Sequence, residues 1–160
     1  MGVLMFHKNL ILFFSYTGNC RRVGLLLSRE CGGDVVSVKS RGFGFFKPFV
    51  HKRLAKKGKR IVLLPEGFDL AKYDNVFIGG PVWCGFPAPA LVDLVSQLDL
   101  KGKRVLLFLV AASDFGIAAD KLKDLVKGRG ASIKGLMTFL SSDSNNMVVE
   151  KAKNHLLVLE

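Results

Sequence analysis

Cysteine is scarce in this chain and never forms a C-x-x-C pair: Cys20, Cys31 and Cys84 stand far apart. That spacing indicates neither a zinc site nor a disulfide framework. Three thiols cannot all pair with one another, which favours a reducing compartment. Long apolar runs are also missing. Nothing approaches the roughly 18 uninterrupted apolar residues of a membrane span. The stretch from Leu10 to Phe14 is too short for the apolar region of a signal peptide, and Asn19 is not the small residue expected ahead of a processed cysteine. The expectation is a soluble, cytoplasmic protein. No Walker-type loop (G-x-x-x-x-G-K followed by Ser or Thr) occurs, and GFGFFK at 42–47 has two glycines of a dinucleotide fingerprint but lacks the third.

Acidic residues are absent from one window. Between Lys39 and Arg60 there are nine basic residues and no acid, whereas the remainder carries 15 basic against 13 acidic residues. Nearly all of the net charge of +11 therefore sits in one segment. Two readings stay open for it, a solvated helix face and a docking surface for an acidic partner; nucleic acid is the weaker third.

What is present is a globular composition, 49% hydrophobic and 23% charged over 160 residues, enough for a single domain over 1–160. Short apolar runs alternate with helical spacing. NLILFF at 9–14 reads as a strand buried on both faces, and Val23, Leu26, Leu27 and Cys31 follow at helical spacing up to Gly32-Gly33. A second strand is predicted at 34–39, a short helix around 45–57, and a brief extended piece ended by Pro65. A third strand is predicted at about 75–80, then a helix whose first turn suits Pro87 and Pro89. KRVLLFLVA and SIKGLMTFL give the fourth and fifth strands, with helices around 117–128 and 144–158. Continuous apolar strands separated by helices mean an α/β, doubly wound, five-stranded parallel sheet. Its ligands belong at the carboxyl ends of the strands.

Three loops lie there. In Ser15-Tyr16-Thr17-Gly18-Asn19-Cys20 a strand turns through small polar residues into a helix, leaving N–H groups free to seat a phosphate; an ordinary helix cap is the alternative. Cys20 is either inert packing or, beside Arg21 and Arg22 at a helix start, a reactive thiol. Pro81-Val82-Trp83-Cys84-Gly85-Phe86 holds the chain's single tryptophan, placed to stack on a flat ligand or to fill the core. Ala112-Ser113-Asp114-Phe115-Gly116 offers backbone groups for a ring edge and Phe115 as a cover, or else a plain helix cap by Ser113 or Asp114.

With these loops the chain resembles the flavodoxin family. That family's phosphate loop, Ser/Thr-x-Thr-Gly-x-Thr, is matched from Ser15 to Cys20, with Cys20 in place of the last Thr. Its G-x-P-x-W-x-G pattern is matched by Gly79, Pro81, Trp83 and Gly85, and RGFGFFKPF resembles the lead into a basic helix in short members. The resemblance implies strand order 2-1-3-4-5 and FMN, with the phosphate in 15–20 and the isoalloxazine between 82–86 and 112–116. It implies an electron-transfer protein, or alternatively an FMN-dependent NAD(P)H oxidoreductase acting on a quinone or other small acceptor. The three histidines, His7, His51 and His155, are scattered and supply no obvious acid–base pair.

Overall fold

The computed structural model describes residues 8–42 and 47–157. Its order is β1 (Asn9–Phe13), α1 (Asn19–Cys31), β2 (Asp34–Ser37), β3 (Lys39–Ser40), α2 (Lys47–Lys56), β4 (Val62–Leu63), β5 (Asn75–Trp83), β6 (Phe86–Pro87), α3 (Pro89–Ser96), β7 (Arg104–Ala111), α4 (Ala118–Gly128), β8 (Ser132–Leu140) and α5 (Asn145–Leu156). Five strands pair in parallel in the order β2-β1-β5-β7-β8. In chain order of the long strands this is the expected 2-1-3-4-5.

Alternation along β1 explains the double winding. Leu10, Leu12 and Phe14 join one buried cluster with Leu91 and Leu94 of α3 and Leu122 and Val126 of α4. Ile11 and Phe13 join a second with Val23 and Leu27 of α1 and Val148 and Ala152 of α5. Successive side chains of a strand point to opposite faces, so an apolar run with no polar break needs helices on both sides.

The differences from the sequence reading are local. The second strand ends at Ser37, and Lys39 and Ser40 turn away to pair antiparallel with β4. The third strand continues to Trp83 and folds back on β6, with Val82 opposite Pro87 and Trp83 opposite Phe86. Pro87 is therefore a strand residue, and only Pro89 opens α3. A proline ring's fixed φ suits a short edge strand as well as a helix start. The expected helix starts at 45–46, the glycine-rich 43–46 and residue 158 lie outside the described residues.

One carboxylate anchors the irregular segment to the sheet. Asp93 Oδ2 accepts from the amides of Ile61 and Val62, each at 2.8 Å, and from Gln97 Nε2 at 3.0 Å. Both amides belong to buried residues. Asp93→Ala leaves them without acceptors and should lower stability by about 2–6 kcal/mol, from about 1–3 per orphaned buried group. Urea unfolding against wild type measures it.

Candidate functional site

Helix α1 begins on a residue that cannot cap it. Gly18 is its N-cap residue in the left-handed region (φ 96°), no side chain bonds the cap position, and the first turn carries no acid. Arg21 and Arg22 stand in that turn instead, where positive charge opposes the helix dipole. Nothing lies within 4 Å of where a Gly18 side chain would project, so the turn is open. Ser15 Oγ accepts from the Arg21 amide at 3.2 Å, and Asn19 Nδ2 donates to Thr17 Oγ1 at 3.1 Å. The hydroxyls thus line the turn without closing it. Ser15 takes the Arg21 amide; an anion placed here would accept from the helix-start N–H groups that remain and offset the two arginines.

The turn opens into a cavity at the carboxyl ends of four strands. Tyr16, Thr17, Asn19 and Cys20 form one side, and Pro81, Val82 and Trp83 the next. Val110 and Ala111 end β7, Ala112 follows it, and Ser141 follows β8. Among the described residues, three rings hold Trp83. His51 of α2 stacks on it at 5.9 Å between centroids and 20° between planes, while Tyr16 and Phe14 meet it edge-on at 5.6 and 6.2 Å. His51 is buried, and its Nε2 lies 2.9 Å from the Arg41 carbonyl oxygen. A carbonyl only accepts, so Nε2 carries the proton, and Nδ1 is buried without a partner. Burial pushes the His51 pKa down, with Lys47 adding to the effect and the Arg41 carbonyl and Asp93 opposing it.

The structure brings Tyr16, Thr17, Asn19, Cys20, Pro81, Val82, Trp83 and Ala112 to one cavity, with Ser15 and Gly18 in the turn beside it. It does not bring Cys84, Gly85, Phe86, Ser113, Asp114, Phe115 or Gly116 to that lining. Cys84 (φ 51°) and Gly85 (φ 76°) reverse the chain, and Phe86 faces a separate groove with Trp83 between. Asp114 Oδ1 accepts from the Gly116 amide at 2.9 Å and closes its own turn. Phe115 is half-buried against the core. Gly85 and Gly116 pin the second and third loops together: the Ile117 amide donates to the Gly85 carbonyl at 2.9 Å, and a Cβ on Gly116 would lie 2.5 Å from Gly85 Cα.

Sequence reasoning missed Val110, Ala111, Ser141 and His51. The rule that ligands gather at strand ends pointed to Ser141, since it follows the fifth parallel strand; nothing in the sequence singled out His51. The loop bearing Ser141 is stapled to α1 by Arg22, which donates to the carbonyls of Asp143 (2.9 Å) and Ser141 (3.3 Å) and to Asn145 Oδ1 (2.9 Å). Cys20 is only 3% exposed, and burial pushes its thiol up to about 12, so it stays protonated and unreactive at neutral pH.

No protein-family model matches the chain. Among characterised proteins, flavodoxin 1 of Escherichia coli is 28% identical over 134 residues, which span 78% of this chain and 64% of that protein. The chain thus matches less than two thirds of that relative's length. Among solved structures, a candidate flavoprotein from Bacteroides uniformis superposes with TM-score 0.76 at 20% identity, covering 92% of this chain and 98% of the other. A Lactobacillus acidophilus flavoprotein in complex with FMN gives 0.69 at 21% identity, over 82% and 93% of the two chains. Oxidised flavodoxin 2 from Bacillus cereus gives 0.59 at 20% identity, over 94% and 96%.

His51 should make stability depend on pH. Its ordinary value is 6.5 and folding lowers it, so the unfolded chain takes up the proton first. The contribution is complete above pH 6.5 and is lost as pH falls from there towards the lower folded value. Comparing wild type with His51→Phe by thermal unfolding across pH 4.5–8 isolates it, about 6.5 being the ordinary imidazole value. The variant should lose less stability on acidification through that window.

Proposed function

We propose that this chain, flavodoxin-like in sequence and fold, binds FMN and carries electrons between partner proteins. The observation that carries the reading is the open start of α1 leading into an aromatic-walled cavity. The donor set fits the cofactor: an open helix start and the Thr17 and Ser15 hydroxyls suit a phosphate, and Tyr16 and Trp83 suit a flat ring. Bound FMN supplies the redox chemistry. The chain's residues hold and orient it. Ser15, Thr17, Gly18 and Asn19 face the phosphate, and His51, Phe14 and Tyr16 brace the Trp83 wall. Cys20 contributes its backbone and buried packing. Cys84 to Phe86 and Ser113 to Gly116 shape and pin the neighbouring loops.

Among the described residues the cavity lining has no carboxylate or imidazole, which favours a carrier over an NAD(P)H oxidoreductase that must also move substrate protons. Helix α2 supplies the docking face. Its inward His51 touches Trp83, while Lys52, Arg53 and Lys56 are exposed, and Lys57, Lys59 and Arg60 continue the exposed run. An acidic redox partner held there would lie against the flavin wall. Three free cysteines accord with a reducing, cytoplasmic setting, and among the described residues no helix is long and apolar enough to cross a membrane.

Phosphate seating is tested by Thr17→Ala, which should weaken FMN roughly tenfold, as befits a lost hydrogen bond to a charged group of about 1.5 kcal/mol. Riboflavin, which lacks the phosphate, should be affected much less. Equal losses for both ligands, measured by fluorescence titration, would contradict the assignment. FMN should also quench the emission of Trp83, the chain's single tryptophan, with saturation at one equivalent.

The docking face is tested by replacing Lys52, Arg53, Lys56 and Lys57 with Gln. Association with an acidic redox protein should slow about tenfold at low ionic strength and lose most of its salt dependence. The reduction potential of the bound flavin should fall, because a unit charge about 10 Å away at an effective dielectric of ~40 is worth on the order of 0.8 kcal/mol. Stopped-flow mixing and potentiometry measure the two effects. An unchanged salt dependence would remove α2 from the docking face.

A further inference from the structure

We propose that the groove between α2 and the β5–β6 hairpin is a second ligand site, taking a flat aromatic molecule that bears one acidic group. The groove encloses about 580 Å³, within the roughly 300–1,000 Å³ of small-molecule sites. Pro48, Pro87 and Pro89 form rigid walls without N–H donors, and Trp83 and Phe86 add aromatic surface. Phe86 is 52% exposed, a large ring left open to solvent at the groove's edge. Apolar rigid walls with aromatic faces select a planar ring. Lys52 is the one charged residue among the groove's described lining, and its aliphatic stem can cover the apolar wall while the ammonium stays at the rim. No acid occurs between Lys39 and Arg60 to neutralise it, and Arg53 and Lys56 on the same helix are exposed. The surrounding field therefore favours an anion.

The site is distinct from the cofactor cavity. The two share Val82 and Trp83, while Lys52, Phe86 and the three prolines belong to the groove alone. A ligand in the groove touches the same indole that walls the cavity, so Trp83 emission can report on both sites. Lys52 alone of the nine basic residues from Lys39 to Arg60 lines this concavity. One ammonium matches one acidic group on a compact ligand better than it matches the extended acidic surface of a protein.

The probe is anthraquinone-2-sulfonate, titrated by isothermal calorimetry into flavin-free protein and into protein saturated with FMN. Expected is one site, with affinities in the two forms agreeing within about threefold. Lys52→Gln should weaken binding about fivefold or more, Lys52→Arg should restore it, and Phe86→Ala should weaken it similarly. Methanesulfonate, which has the acid without the ring, should not compete. Displacement of the probe by FMN would place it in the cofactor cavity and overturn the proposal. Binding unaffected by Lys52→Gln or Phe86→Ala would overturn it too. Competition by poly-glutamate together with indifference to Phe86→Ala would make the groove part of a protein-docking face instead. If the chain took up no FMN at all, the dependence on Lys52 and Phe86 would still be read on the flavin-free protein, so this proposal and the cofactor assignment fail separately.

Discussion

Burial of the central strands on both faces is the constraint from which the rest follows. From Leu10 to Phe14, from Val76 to Ile78 and from Val105 to Ala111, every side chain is buried. Such strands have no side to give to solvent or to a ligand, so polar and ligand-facing groups must gather where the strands end. Parallel pairing puts all the carboxyl ends on one edge, and the crossover helices begin there. The open start of α1, the end of β5 at Trp83 and the turns after β7 and β8 are thus neighbours because of how the core is packed, before any one of them is considered as part of a site.

Within that edge, rigidity is unevenly distributed. Among the described residues Trp83 is braced by three rings, one of them a buried neutral imidazole anchored to a backbone carbonyl. The loop of Ser141 is tied to α1 through Arg22 and closed by Asp143, whose carboxylate accepts from the Leu140 amide at 3.0 Å and from Lys151 at 2.6 Å. Lys151 holds that carboxyl below the usual range. The turn from Ser15 to Gly18 has no comparable brace, and its open N–H groups sit where an anion would complete them. Walls fixed beforehand and an anion seat left open are how a binding site limits the ordering cost of taking its ligand.

The fold was legible because its signals were long. Runs such as NLILFF and KRVLLFLVA, separated by helical spacing, leave few alternatives to a covered parallel sheet. What escaped were the two-residue strands β3 and β6, too short to show a period, whereas β4 falls within the extended piece expected ahead of Pro65. Pro87 misled for a physical reason, since its φ serves an edge strand as readily as a helix start. The loops were located correctly at the strand ends, but not the direction of every side chain in them. Phe86 follows a reversal through two positive-φ residues into a separate groove, and Phe115, read as a ring cover, packs partly buried against the core. Such directions depend on single backbone angles that composition does not encode. His51 escaped for a related reason, because a lone histidine in a basic run looks like one more exposed polar residue until tertiary packing buries it.

That histidine also changes what the charge excess means. A run of nine basic residues could have been a solvated face remote from any site. Instead α2 turns His51 and Leu54 inward, and at helical spacing this leaves Lys52, Arg53 and Lys56 outward. The inward histidine rests on Trp83, so the cations ride on a helix in direct contact with a wall of the cavity. Screening over about 8–10 Å removes the influence of distant surface charges, so the helix's contact with the wall is what keeps its cations relevant to the cavity rim. Their potential therefore bears on whatever approaches that rim. Any such influence would run through one amphipathic helix whose fully buried residue is an uncharged imidazole.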